Sequence, residues 1–418
     1  MESKTGKDWR SIFLAVASTG GVIVAVATAM IVVVVQAALT LRGGRQNHPF
    51  IDAALLASAI LFIGALLIPA AYYSFQRLVG AEVAVNTTKP MNIATGILLT
   101  FVWLSITALA QIFYGNILLR WVAPPLYILS IGLPVYFFAR LAIGGLNAGS
   151  KQRMWGALGS GMILGPSLAI FVELMLMVFL LIGAGIYLAF HPELMAVFNT
   201  IKNQLHNTSN PDDILNLISP YLLNPLVIVL ALTFFSVIAP IVEETAKSLT
   251  VWAVFDHLSS PAQGFVIGAL SGTGFGLVES LLASVQPDSS WATTLLARGG
   301  STMMHIVAAS LTGWGIASFR ATKRPERMIG AYALAMCLHS SWNACVIFIV
   351  VGAVRMSLGT SPTNIIGIAF ALSGAATLTI LALGAPIALG VINGRLRSAS
   401  HPLPVADVVE SNNIEGVK

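Results

Sequence analysis

Charge is what this 418-residue chain has least of. Only 9% of its residues are Asp, Glu, Lys or Arg, against about 25% in a typical soluble domain. That supply cannot cover a water-facing surface for a 44.1 kDa particle. Cysteine is nearly absent as well. Cys337 and Cys345 lie in one apolar run, about 12 Å apart along a helix, too far for a disulfide, so they exclude a disulfide scaffold. Disorder is excluded by a hydrophobic share of 56%, and collagen by the absence of a glycine period. Long hydrophilic stretches are few. The net charge of +5 does not point to nucleic acid, because the basic residues fall between apolar runs.

Those runs are the dominant feature. Mean hydropathy is +0.85, and ten segments approach the roughly 20 apolar residues that span a bilayer: 12–40, 52–75, 92–113, 124–145, 166–190, 225–256, 262–284, 299–319, 328–352 and 364–391. Backbone polar groups in lipid must be satisfied within each segment, so the runs read as helices. The expectation is an all-α polytopic membrane protein of about ten transmembrane helices. The first run is too long for a signal-peptide core and reads as a span. With both termini cytoplasmic, 16 of the 22 basic residues fall inside, as the positive-inside bias requires. The insert at 191–222 spaces Leu194, Phe198, Ile201 and Leu205 helically and reads as two amphipathic helices on the outer face. Asn207-Thr208-Ser209 matches a glycosylation sequon. The tail beyond Arg397 is polar and reads as disordered. The chain divides into a five-helix region (1–190), the insert (191–222), a polar-bearing block (223–352), and a last helix with a cytoplasmic tail (353–418).

Ionisable groups inside a membrane are costly and mark function by default. Runs one to four have no acid well inside, and run five has one, Glu173. Runs six to nine hold Glu243, Glu244, Lys247, Glu279, His305, His339 and Asn343. Only two of the seven histidines lie deep in apolar runs, and both are here. Lys247 sits one helical turn from Glu243 and three residues from Glu244, placed to neutralise both. Phe275 shares a face with Glu279, His339 with Asn343, and Arg298 lies two turns before His305. Phe275 and Trp342 read as core residues, Arg298 as an interface anchor. Gly264, Gly268, Gly272 and Gly276 form a strip that lets another backbone approach. Neighbouring carboxylates in low dielectric cannot all ionise together, which leaves a proton acceptor for activating water. Histidine and amide groups can donate to an oxyanion. No Ser or Cys stands beside a base, so hydrolysis by activated water is favoured over an acyl-enzyme.

In order, Glu243-Glu244-x-x-Lys247, Phe275-x-x-x-Glu279, Arg298…His305 with Thr312-Gly313-x-Gly315, and His339-x-x-Trp342-Asn343 resemble the PrsW family. These are glutamic-type intramembrane proteases of the broader CAAX-protease-like superfamily. The resemblance covers about 225–352. It implies an endopeptidase in which Glu243 activates water, Glu244 and Glu279 assist, His339 and Asn343 form the oxyanion site, and His305 activates or clamps. It implies membrane-protein substrates such as anti-sigma factors. No organic cofactor is expected. Zinc stays open on the Glu and His donors, but without His-Glu-x-x-His a metal-free site is favoured. The alternatives are a proton-coupled transporter, against which the clustering of polar residues in one block argues, and a non-catalytic membrane scaffold. Oligomeric state has no signal.

Overall fold

A computed structural model describes residues 9–42, 49–81, 85–208, 210–288, 290–358 and 362–400. The expected disordered tail, the sequon's Ser209 and the basic residues Lys4, Lys7, Arg45 and Lys418 lie outside them. The chain is an all-α polytopic membrane protein. Its helices are α1 (Trp9–Leu41), α2 (Pro49–Leu78), α3 (Ile93–Gly115), α4 (Ala123–Ile143), α5 (Lys151–Ala189), α6 (Pro192–His206), α7 (Pro211–Leu222), α8 (Pro225–Thr233), α9 (Ala239–Trp252), α10 (Pro261–Ala283), α11 (Trp291–Thr322), α12 (Pro325–Leu358) and α13 (Pro362–Ser400). A short antiparallel pair, β1 (Val85–Thr87) and β2 (Asn147–Ser150), ties two connections together. Large apolar side chains stay exposed along α1 (Ile23, Val24, Val34), α5 (Phe179, Leu181) and α13 (Ile380, Leu383, Ile387). A water-soluble surface does not carry such bands, whereas a lipid-facing one does.

Among the described residues, nine helical segments are long and apolar enough to cross a membrane. The eighth sequence run is the difference from ten. It lies in α11, whose apolar character is diluted by Arg298, His305 and several Ser, Thr and Gly residues. The same polar residues face the interior, and α11 packs between α10 and α12. The insert forms α6 and α7, with no fully buried residue in α6.

Helix α10 is the axis of the molecule. Nearly every residue from Ala262 to Leu281 is buried, against α4, α5, α9 and α11. Its start is fixed by Ser260, whose hydroxyl accepts from Gln263 N at 3.2 Å, with Pro261 at the first helical position, where its missing N–H costs nothing. The glycine strip works as its spacing implies. A Cβ at Gly268 would sit 2.9 Å from the Ala309 carbonyl carbon, and one at Gly313 would sit 3.0 Å from Gly268 Cα. Two backbones therefore touch, and α11 runs close enough to α10 for side chains one turn beyond the strip to meet.

The sixth run is broken. Helix α8 passes into a π-helical turn, Phe234–Ile238, before α9 begins. Ala239 N donates to Phe234 O in the i+5 pattern. The next residue in that pattern is Pro240, which has no N–H, so Phe235 O is left without its helical donor. Asn343 Nδ2 on α12 supplies one at 2.8 Å. The bulge rotates α9 just ahead of Glu243. Helix α9 ends at Trp252 and a 3-10 turn covers Phe255–His257, close to the expected end near Asp256.

Candidate active site

Helices α9, α10, α11 and α12 each bring part of one polar cluster. Lys247 is at its centre and is 1% exposed. Its Nζ donates to Glu244 Oε1 at 2.7 Å, Glu243 Oε2 at 3.1 Å and His305 Nδ1 at 2.7 Å. The Phe275 ring closes one side, with its centroid 4.2 Å from Nζ. Burial of an ammonium is tolerable here because three acceptors and an aromatic face replace its water shell. Ser271 Oγ donates to the Lys247 carbonyl at 2.9 Å, locking this turn of α9 to α10.

Each histidine is held from behind by a carboxylate. His339 Nδ1 lies 2.9 Å from Glu244 Oε1, and its Nε2 lies 3.8 Å from Glu243 Oε2. His305 Nε2 lies 2.5 Å from Glu279 Oε2, and its Nδ1 lies 3.7 Å from Glu243 Oε2. Glu279 is steadied in turn by Arg298, Nη2 to Oε1 2.7 Å. The rings meet edge to face at 4.9 Å. A ring nitrogen against a carboxylate carries the proton, so the opposite nitrogen offers a lone pair. Both lone pairs therefore point inward: that of His339 Nε2 lies on the Glu243 side, and that of His305 Nδ1 accepts from Lys247 beside Glu243.

Five of the six residues singled out in the sequence thus converge: Glu243, Glu244, Glu279, His305 and His339. The sixth, Asn343, points its amide at Phe235 O. Glu244 is fully buried, while the Glu243 and Glu279 side chains are 12% and 35% exposed. The cluster is reachable from that side. Arg298, read as an interface anchor, is the partner of Glu279. Its two-turn spacing from His305 was the available signal. Glu173 approaches from α5. Ala169, one turn earlier, packs on Ala246 and Phe275. Glu173 Oε1 is buried without a hydrogen-bond partner, within electrostatic range of Glu243 and Glu279. Trp342 is buried against Gly300, as a core residue.

Glu243, His305 and His339 offer three donor atoms within 4.8 Å of one another. Two histidines and a carboxylate, with outer ring nitrogens held by carboxylates, form a donor set that suits a zinc-type cation. These residues fit a metal chemically, and Lys247 competes for the same acceptors.

A polytopic helical membrane protein with three acids and two histidines focused on one partly open point belongs to the class of intramembrane hydrolases. More than half of the chain, residues 150–373, matches the family model described as PrsW family intramembrane metalloprotease. The chain belongs to the PrsW family of intramembrane proteases. The match begins at the start of α5, so Glu173 falls inside the family region, which the motifs alone placed at about 225–352. No curated protein and no solved structure matches the chain.

Proposed function

We propose that this protein is an endopeptidase that cuts membrane-protein substrates with a water activated at Glu243. The observation that carries the reading is the convergence of two carboxylate-backed histidines on a partly exposed carboxylate. Glu243 takes a proton from water, and the water oxygen bonds to the scissile carbonyl carbon. His339 Nε2 relays the proton. As an imidazolium held by Glu244, it faces the oxyanion and returns the proton to the leaving nitrogen as the C–N bond breaks. Glu279 and Arg298 hold His305. The Lys247 ammonium bonds both Glu243 and Glu244 and holds the two carboxylates side by side. Asn343 acts through its bond to Phe235, positioning α9.

A second reading rests on the donor set. A divalent metal held by Glu243, His305 and His339 would supply Lewis-acid polarisation of water or carbonyl. The same residues serve either way, so glutamic-type or metal-dependent catalysis is decided by experiment. Substrates are membrane proteins, and anti-sigma-factor-like proteins fit the family. With both termini cytoplasmic, the site lies near mid-depth, and substrates enter laterally or from the outer side beside α6 and α7.

The test compares new protein termini in membranes from cells carrying the wild-type chain or Glu243→Gln. The substitution keeps shape and removes the base, so cleavages in or near spans should fall about 10²- to 10⁴-fold. Equal cleavage by a folded Glu243→Gln protein removes Glu243 from this role.

A further inference from the structure

At the opposite end of α5 the fold gathers charge of one sign. Arg10 on α1, Arg77 on α2 and Arg153 on α5 line one cavity of about 470 Å³. They are distant in sequence and repel one another in space. Among the described residues, no acid lines this cavity. Arg10 Nε is buried without a hydrogen-bond partner among the described residues, and Arg153 Nη1 donates to the His257 carbonyl at 3.3 Å. The first turn of α5, capped by Ser150, adds its positive dipole end.

An apolar cavity of about 90 Å³ continues from it between α1, α5, α9 and α10, lined by Phe13, Leu14, Ala157, Leu164 and Ile267. The two cavities share Trp9, Arg10, Leu14, Arg153 and Val254. A basic head site opening into an apolar groove at a membrane end has the shape and charge of one ligand class. We propose that this is a binding site for an anionic phospholipid, with its phosphate among Arg10, Arg77 and Arg153 and the first few methylenes of an acyl chain in the groove. Basic pockets between transmembrane helices recognise such headgroups. The basic-residue bias assigns this end to the cytoplasmic leaflet, where anionic lipids concentrate. The groove also runs behind α9. Its wall residues Ser160 and Thr250 bond at 2.9 Å, and Thr250 meets Ser271, the residue that bonds the Lys247 carbonyl. The lipid thus supports the turn that carries the cluster.

The experiment uses the full chain in zwitterionic detergent, with dioleoyl phosphatidylglycerol, dioleoyl phosphatidylcholine or inorganic phosphate added, and bound lipid counted by native mass spectrometry. The expected result is one retained phosphatidylglycerol in preference to phosphatidylcholine. Arg10→Gln with Arg153→Gln should weaken it roughly thirty-fold, the effect of two charges near an anionic surface. Arg324→Gln with Arg327→Gln, at the same membrane end, should leave it unchanged. Equal retention of both lipids, or equal loss in the control variant, overturns the proposal. Inorganic phosphate displacing phosphatidylglycerol at equal concentration reduces the site to a free-anion site and overturns the lipid assignment. If the double variant does not fold, wild-type protein labelled with acyl-photoactivatable phosphatidylglycerol decides. Adducts on 9–14 and 156–164 support the site, and adducts only elsewhere refute it.

Discussion

Lys247→Met is the substitution whose consequence the structure fixes best. The methionine fills much of the lysine's volume and removes the ammonium that three acceptors share. Glu244, fully buried, keeps only His339 against Oε1, while its Oε2 has no partner even in the native arrangement. Breaking a buried ion pair from one side costs about 3–5 kcal/mol. The Lys247–Glu244 pair is fully enclosed, and Glu243 is only 12% exposed, so little solvent screening reduces that figure. The Phe275 cation–π contact adds about 1 kcal/mol or more. Unfolding should be followed by intrinsic tryptophan fluorescence as the SDS fraction rises in zwitterionic micelles. Lys247→Met should move the midpoint strongly toward low SDS. Adding Glu244→Gln should recover most of the loss, because the fully enclosed carboxylate is then neutral and only the partly exposed Glu243 stays unpaired. A single variant as stable as wild type, or a double variant less stable than the single, would refute the placement of Lys247 as the cation of this centre.

Asn343→Ala leaves the Phe235 carbonyl without a donor, so stability should fall by about 1–3 kcal/mol. A loss of cleavage beyond a hundredfold in a variant of native stability would return Asn343 to a direct oxyanion role. Arg298→Met releases Glu279, whose exposed side lets solvent screen the change. Stability should shift by under about 1 kcal/mol, while cleavage falls about 10- to 100-fold as His305 loses its orientation. Unchanged turnover would show that Glu279 needs no support.

Membrane character, the position of most helices and five cluster members were legible because each rests on a local signal. Twenty apolar residues must be helix in lipid, and the four glycines of α10 announce a backbone contact four residues apart. Glu243, Glu244 and Lys247 are neighbours on one helix face. The partner of Asn343 was not legible. It depends on a π-turn, on Pro240 lacking a donor, and on α12 lying alongside, and none of these follows from His339-x-x-x-Asn343 spacing. The tenth span was blurred for a related reason. The polar residues that α11 brings to the cluster lower its apolarity. Arg10, Arg77 and Arg153 counted only toward topology, since nothing but the tertiary fold brings them to one cavity.

The charges of the cluster lead to a test of metal binding. Glu243, Glu244 and Glu279 carry three negative charges if ionised, and Lys247 and Arg298 carry two positive ones. One positive charge is missing. Either a proton fills it, which makes an acid–base site, or a divalent cation does. A cation on Glu243, His305 and His339 would face Lys247 Nζ, which is 2.7 Å from His305 Nδ1, and like charges so close in a buried setting repel. Removing the ammonium should therefore strengthen metal binding if the centre holds one. Zinc added to Lys247→Met at about a hundred times its dissociation constant would restore about 2.7 kcal/mol, a large part of what that variant loses. The measurement is the SDS midpoint of Lys247→Met with and without zinc, alongside zinc content by elemental analysis. His339→Ala in the same background should abolish the rescue. Rescue that survives His339→Ala would place the metal elsewhere, and no rescue at all would show that the Lys247 position takes an ammonium and not a metal.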